Sequence, residues 1–188
     1  MASPQVQVTL SPQLADLRRQ FEGCSEEARK IFAEHSEAVL KQRPPSGGWC
    51  AAECVAHLTL TTANYEAIFQ DGFSRASKGS EPYRKDFKGK LLAWIMEPPY
   101  RHGVKTRPNF EPVNLGPTAQ VLEDFLESQK VMFARLERAN GLALDKAKVA
   151  SPFKESVTYN MYSLFWILAA HQRRHLWQAQ QAFKNIQK

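Results

Sequence analysis

The chain lacks a long apolar run. The longest, MYSLFWILAA, has ten residues, about half of the roughly 20 that a membrane-spanning helix needs. Three cysteines are an odd number and do not make a disulfide framework. Nine glycines and eleven prolines in 188 residues are too few for a low-complexity chain, and no internal repeat is visible. Strict apolar–polar alternation bounded by hairpin turns is missing, so strands are not expected. The opening MASPQVQVTLSPQ has no basic region followed by an apolar stretch, so a secretory signal is not expected. These absences predict a soluble, cytoplasmic protein with no membrane partner. The length and a 43% hydrophobic share predict a single domain, residues 1–188, with a core of ordinary size.

Charge is present but uneven. The net charge is +6, and residues 71–110 hold nine Lys/Arg against four Asp/Glu, so five of the six excess charges fall there. A basic connection of this kind could attract an anionic ligand or be a solvated loop. A nucleic-acid partner is not expected, because no helix-turn-helix or other recognition module accompanies the charge.

Apolar periodicity predicts four long helices. The first spans residues 11–41 and is predicted to break near EGCS, where Ser25 with Glu26 and Glu27 resembles a fresh N-terminus. Its second half carries Ala28, Ile31, Phe32, His35 and Val39 on one face. After the loop RPPSGG, twenty-one residues from Trp49 run without proline or glycine, and Cys50, Cys54, His57, Thr61, Asn64 and Ile68 share a face. Residues 77–117 are irregular, with a short helix in DFKGKLLAWIM ended by Pro98 and Pro99 and an extended RPNFEPVNLGP. The third long helix begins near Thr118 and stops before Gly141. A loop containing SPF follows, and the last helix starts near Thr158. The predicted fold class is all-α: a four-helix bundle with a long connection between the second and third long helices.

On the last helix, Leu164, Leu168, His171, His175 and Ala179 recur at spacings of four, three, four and four. The two histidines thus continue the apolar stripe and point inward. Arg173 is about 200° around from His171 and is predicted to face solvent, with Arg174 nearer the buried edge. Imidazoles at i and i+4 can reach one metal ion, or can be satisfied core histidines. His57, on the buried face of the second long helix, could join them and complete three nitrogens with an open coordination position, the arrangement of a catalytic metal site. The pattern His-Glu-x-x-His is absent, since Gln172 stands in the glutamate's place, so a peptidase of that kind is not predicted.

Two motifs and a segment carry a resemblance. GGWCAAECVAHL, AAHQRRHLWQ and KTRPNFEP resemble, in that order, the second-helix signature, the last-helix signature and an extended proline-rich segment of the DinB/YfiT-like superfamily. The resemblance implies a four-helix bundle of unusual connectivity and a divalent metal ion, nickel or zinc, held by His57, His171 and His175. It also implies a small-molecule substrate and a homodimer. Relatives include S-transferases that use a low-molecular-weight thiol (bacillithiol, mycothiol or glutathione) as cosubstrate, and a mycothiol-dependent isomerase.

Other residues compete for roles at this site. Cys54 could be an alternative ligand or a buried hydrophobe, and His35 a fourth ligand or a supporting partner. Glu53 could receive the free N–H of a ligating imidazole or lie at the surface. Arg174 could bind an anionic substrate or form a salt bridge. His102 lies in the basic segment and is expected to be exposed. No residue is assigned a catalytic role. The functional readings are a metal-dependent thiol S-transferase, a metal-dependent hydrolase, and a non-catalytic, stress-related metal-binding bundle. For either enzyme the metal would lower the pKa of a bound thiol or water, and the 71–110 stretch would cover the site as a lid or add to an anionic pocket.

Overall fold

The computed structural model describes residues 9–45, 47–99 and 106–186; His102 lies outside the described residues. Helix α1 (Pro12–Glu34) opens on proline, whose missing N–H is harmless in a first turn. It runs unbroken through Gly23, which corrects the predicted interruption. Ser25 donates its hydroxyl to the Phe21 carbonyl at 3.1 Å instead of capping a new helix. Leu14, Leu17, Phe21, Cys24, Ala28 and Ile31 form a continuous buried stripe. Burial of that stripe outweighs the penalty of about 1 kcal/mol for a mid-helix glycine. The chain breaks instead at His35, which is extended, before the short α2 (Glu37–Lys41).

Helix α3 (Ala51–Asn64) starts at a capping box in which the Cys50 N–H donates to the Glu53 carboxylate at 2.8 Å. The predicted single helix through Ile68 bends at Tyr65 and continues as α4 (Glu66–Arg75). Helix α5 (Phe87–Met96) ends before Pro98 as predicted, and its N-cap is Asp86, which accepts the Gly89 N–H at 2.9 Å. A single 3-10 turn, Pro108–Phe110, interrupts the segment predicted to be extended. Helix α6 (Thr118–Ala139) stops as predicted ahead of Gly141, whose φ of 83° suits glycine.

The loop predicted between the last two long helices contains a hairpin. Strands β1 (Lys148–Ser151) and β2 (Lys154–Asn160) pair antiparallel, with Val149 opposite Tyr159. Helix α7 (Met161–Ile186) therefore begins after Thr158, which belongs to the strand. The hairpin turn has no Asn-Gly or Asp-Gly signal, and the register shifts between Ala150 and Ser151, so no clean alternation marks it. Asn160 closes the strand and caps the helix: its side-chain oxygen accepts the Ser163 N–H at 2.8 Å.

The fold is mostly helical. Helix α3 packs against both α6 and α7, and α1 packs against the same two helices, so the long segments form a ring around two buried apolar clusters. Among the described residues no helix is long and apolar enough to cross a membrane. Helix α5 lies on α7 and β2. A polar knot fixes its start: the Asp86 carboxylate accepts the Asn160 N–H at 2.9 Å and the Ser163 hydroxyl at 3.2 Å.

Close packing at that knot needs glycine. A Cβ on Gly89 would lie 2.1 Å from Ser163 Oγ and 2.2 Å from Ser163 Cβ. Gly89→Ala should force α5 away from α7 and destabilise the protein by about 1–3 kcal/mol. Urea unfolding compared with the parent checks this, and Gly23→Ala, with nothing within 4 Å of its Cβ, is the control and should be neutral or stabilising.

Candidate metal centre

The α3–α7 contact brings the three predicted histidines together. Ligand atoms of His57, His171 and His175 lie within 4.8 Å of one another, and this group could hold a metal ion. Ring centroids are 5.1 Å apart for His57–His171, 4.4 Å for His57–His175 and 4.5 Å for His171–His175. His57 and His175 are buried, and His171 is partly open. Trp49, in the loop before α3, covers the cluster, its ring centroid 4.9 Å from His57 and 5.8 Å from His175.

One hydrogen bond fixes the state of His57. Its Nδ1 lies 2.7 Å from the Phe110 carbonyl. A carbonyl only accepts, so Nδ1 carries the proton and Nε2 presents a lone pair. That Nε2 stands 3.2 Å from His171 Nε2. Two nitrogens on one ion at about 2.0–2.1 Å, near tetrahedral angles, would stand ~3.1–3.4 Å apart, so this pair fits a shared ion. The Nδ1 atoms of His171 and His175 are buried without a hydrogen-bond partner. Three neutral imidazoles are a donor set suited to zinc or nickel among other divalent metals.

Burial sets the charge state. It holds His57 below the usual histidine range, against the Phe110 carbonyl, which pulls the other way. His171 and His175 are driven well below that range, by burial first and then by neighbouring imidazoles and Arg174. All three are therefore neutral, as metal ligands must be.

The competing residues fall elsewhere. Cys54 is fully buried in the apolar cluster around α3, burial pushes its thiol well up, and it is not in the metal group. Burial likewise pushes the Cys24 thiol up to about 12. His35 stacks on Phe183 at 3.8 Å and contacts the Ile31 carbonyl through Nδ1, so it is not a ligand. Glu53 is neither a surface residue nor the partner of His57. It is buried, binding Arg43 and the Cys50 N–H. Burial pushes its carboxyl up, but those two donors outweigh burial and hold it below the usual range. Arg173 is not in solvent as predicted: it is half-buried and ion-paired to Glu97. Arg174 is buried, and its guanidinium donates to the Ile95 carbonyl at 3.0 Å, in the last turn of α5.

The cluster opens on a cavity of about 550 Å³, within the size range of small-molecule sites. Helix α5 walls it with Leu92, Ile95 and Met96, and α7 with Ile167 and Leu168. The hairpin adds Ser151, Phe153 and Tyr159, and α3 adds Thr61 and Tyr65. The basic segment thus walls the site, and what its described residues contribute to the lining is uncharged; among its cations, Lys85 lies over the Trp166 ring and Arg107 binds the Phe153 carbonyl. Sequence reasoning missed the Phe110 carbonyl, which carries no residue-type signal. It also missed the two tyrosines, one at a helix bend and one in the unpredicted hairpin.

A family model described as the DinB superfamily matches residues 20–179. No curated protein and no solved structure matches the chain.

Buried neutral histidines make stability depend on pH. In the unfolded chain they take up protons below about pH 6.5, whereas in the folded chain they resist until a lower pH. The unfolded state therefore binds more protons as pH falls. The metal-free protein should lose up to ~1.4 kcal/mol per pH unit for each histidine in the window below about 6.5, with no contribution from them above it. Urea midpoints of chelator-treated protein from about pH 8 to about pH 5 measure this. A flat profile across that range would contradict it.

Proposed function

Because the chain belongs to the DinB superfamily, we propose that it is a metal-dependent enzyme whose His57, His171 and His175 hold one divalent ion, nickel or zinc, with a coordination position open to the cavity. The convergence of three neutral imidazoles on the wall of that cavity carries the reading. When bound, the ion would act as a Lewis acid and make a thiol or water a good nucleophile near neutral pH. The chain's own part is orientation and dryness. The Phe110 carbonyl holds the His57 ring. Trp49 and the α5 wall exclude water, and Arg174, beside both α7 histidines, offers the cationic contact for an anionic group of a substrate.

The first reading of the reaction is transfer of a low-molecular-weight thiol to a small electrophilic substrate, the chemistry of related S-transferases. The second is hydrolysis. One observation favours it: Arg174 is the one cationic side chain among the described residues lining the cavity, whereas a thiol such as glutathione brings several charged groups. On either reading we propose that the chain acts as one domain, residues 1–188, in the cytoplasm, and as a homodimer, the last being what the family resemblance implies.

Protein purified without an affinity tag should contain one divalent ion per chain. His57→Ala, His171→Ala and His175→Ala should each weaken binding by more than about 100-fold while leaving a folded protein, since the apolar clusters stand without the ion. With cobalt or nickel as probe, the absorption spectrum should change on adding thiol without loss of the metal. An unfolded metal-free protein and a spectrum indifferent to thiol and azide would instead assign the metal a structural role.

A further inference from the structure

The cavity has a second polar end. The side chains of Tyr65, Tyr159 and Ser151 stand together there, Tyr159 beside both of the others. All three residues line the same cavity as the histidines. Their distance from the metal centre follows from α3. His57, Thr61 and Tyr65 follow one another at i, i+4 and i+8, so they share one face, and a rise of about 1.5 Å per residue sets the two ends roughly 12 Å apart along the helix. Between them the wall is apolar: Leu92, Ile95 and Met96 from α5, Ile167 and Leu168 from α7.

The two ends differ in charge. Arg174 adjoins His175 in sequence, and Glu111 adjoins Phe110, whose carbonyl holds His57. Among the described residues, both charged lining residues thus belong to the histidine end. The far end consists of hydroxyls, which burial keeps protonated: the Tyr159 phenol is pushed up to about 12, and Tyr65 is pushed up as well. Each of these hydroxyls carries one proton to donate. The Phe153 N–H, 3.3 Å from Ser151 Oγ, uses an acceptor there and not a donor. A wall of this kind can donate to an uncharged acceptor and offers nothing to balance a carboxylate or phosphate.

We propose that Tyr65, Tyr159 and Ser151 bind the remote end of the substrate, and that this part of the substrate is elongated, uncharged and largely apolar, with a hydrogen-bond acceptor, such as an amide or ester carbonyl, at its tip. The inference rests on the metal-centre reading for the near end. The hydroxyl cluster is a positioning and specificity device that does no chemistry itself.

The test uses zinc-loaded protein and calorimetric titration with three probes that share a metal-binding head: octanohydroxamic acid, its ω-carboxamide and its ω-carboxylate. The parent should bind the ω-carboxamide about fivefold to tenfold tighter than the unsubstituted probe, the worth of one net hydrogen bond, and should bind the ω-carboxylate no better than the unsubstituted probe. Tyr159→Phe and Tyr65→Phe should each bring the carboxamide preference close to one while leaving the affinity for octanohydroxamic acid and the melting temperature unchanged. Equal binding of carboxamide and unsubstituted probe by the parent, a preference that survives both substitutions, or selection of the carboxylate would each overturn the assignment. Failure of all three hydroxamates to bind, with no zinc retained, would overturn the metal-centre reading and this inference with it. That result differs from equal binding of all three, which overturns only the inference.

Discussion

Three imidazoles are buried against one another with no carboxylate between them, and much else in the site follows from that constraint. Burial penalises a charged imidazole in this position and enforces the neutral form on each ring. Neutral rings still carry polar nitrogens. One of these, His57 Nδ1, is satisfied by a backbone carbonyl from a 3-10 turn 53 residues away in sequence. The Nδ1 atoms on α7 have no hydrogen-bond partner. Leaving such groups unpaired costs roughly 1–3 kcal/mol each. What matches the cluster to an ion is the other side of the rings, where His57 Nε2 stands 3.2 Å from His171 Nε2, the separation of two nitrogens on one ion.

The cavity wall depends on a separate set of polar contacts. Asp86 caps α5 and also holds the start of α7 through Asn160 and Ser163. At the other end of α5, Arg174 binds the Ile95 carbonyl and Arg173 pairs with Glu97. Helix α5 is thus pinned to α7 at both ends, with Leu92, Ile95 and Met96 facing the cavity between the pins. The AHQRRH motif serves two walls at once: its histidines turn toward α3 and its arginines toward α5. This accounts for the burial of Arg174 and the half-burial of Arg173, which helical periodicity alone assigned to the edge and to solvent.

Much of the helical frame was legible in the sequence because its signals are local and periodic. Leu164, Leu168, His171, His175 and Ala179 mark one face of α7 by spacing alone, and Gly141 and Pro98 mark stops through backbone preferences that hold in most contexts. The three histidines were legible for the same reason: each continues an apolar stripe, so each must face a neighbour. Local signals failed where tertiary contacts override them. Glycine and serine at 23–25 read as a helix break, yet a buried stripe on both sides carries α1 through. The hairpin at 148–160 is short, shifted in register and joined by a turn without the usual residues. The Phe110 carbonyl is backbone, so no residue type announces it.

The excess positive charge shows how composition can mislead about chemistry. Residues 71–110 carry most of the net charge, which suggested a pocket for anions. In the fold, the segment turns aliphatic side chains toward the cavity, while Lys85 rests on Trp166, Arg75 pairs with Asp71 and Arg107 reaches the hairpin. Two of these cations, Lys85 and Arg107, thus tie the segment to α7 and to the hairpin. Selectivity then falls to the few polar groups that do line the cavity, and these are divided between two ends. A nucleophile would be activated at the histidine end, where Arg174 is also found. At the opposite end the hydroxyls, which burial keeps protonated, can donate to an acceptor but bring no charge to balance an anion. A substrate therefore has to satisfy both ends across an apolar middle, and length and polarity pattern, more than charge, decide what the site accepts.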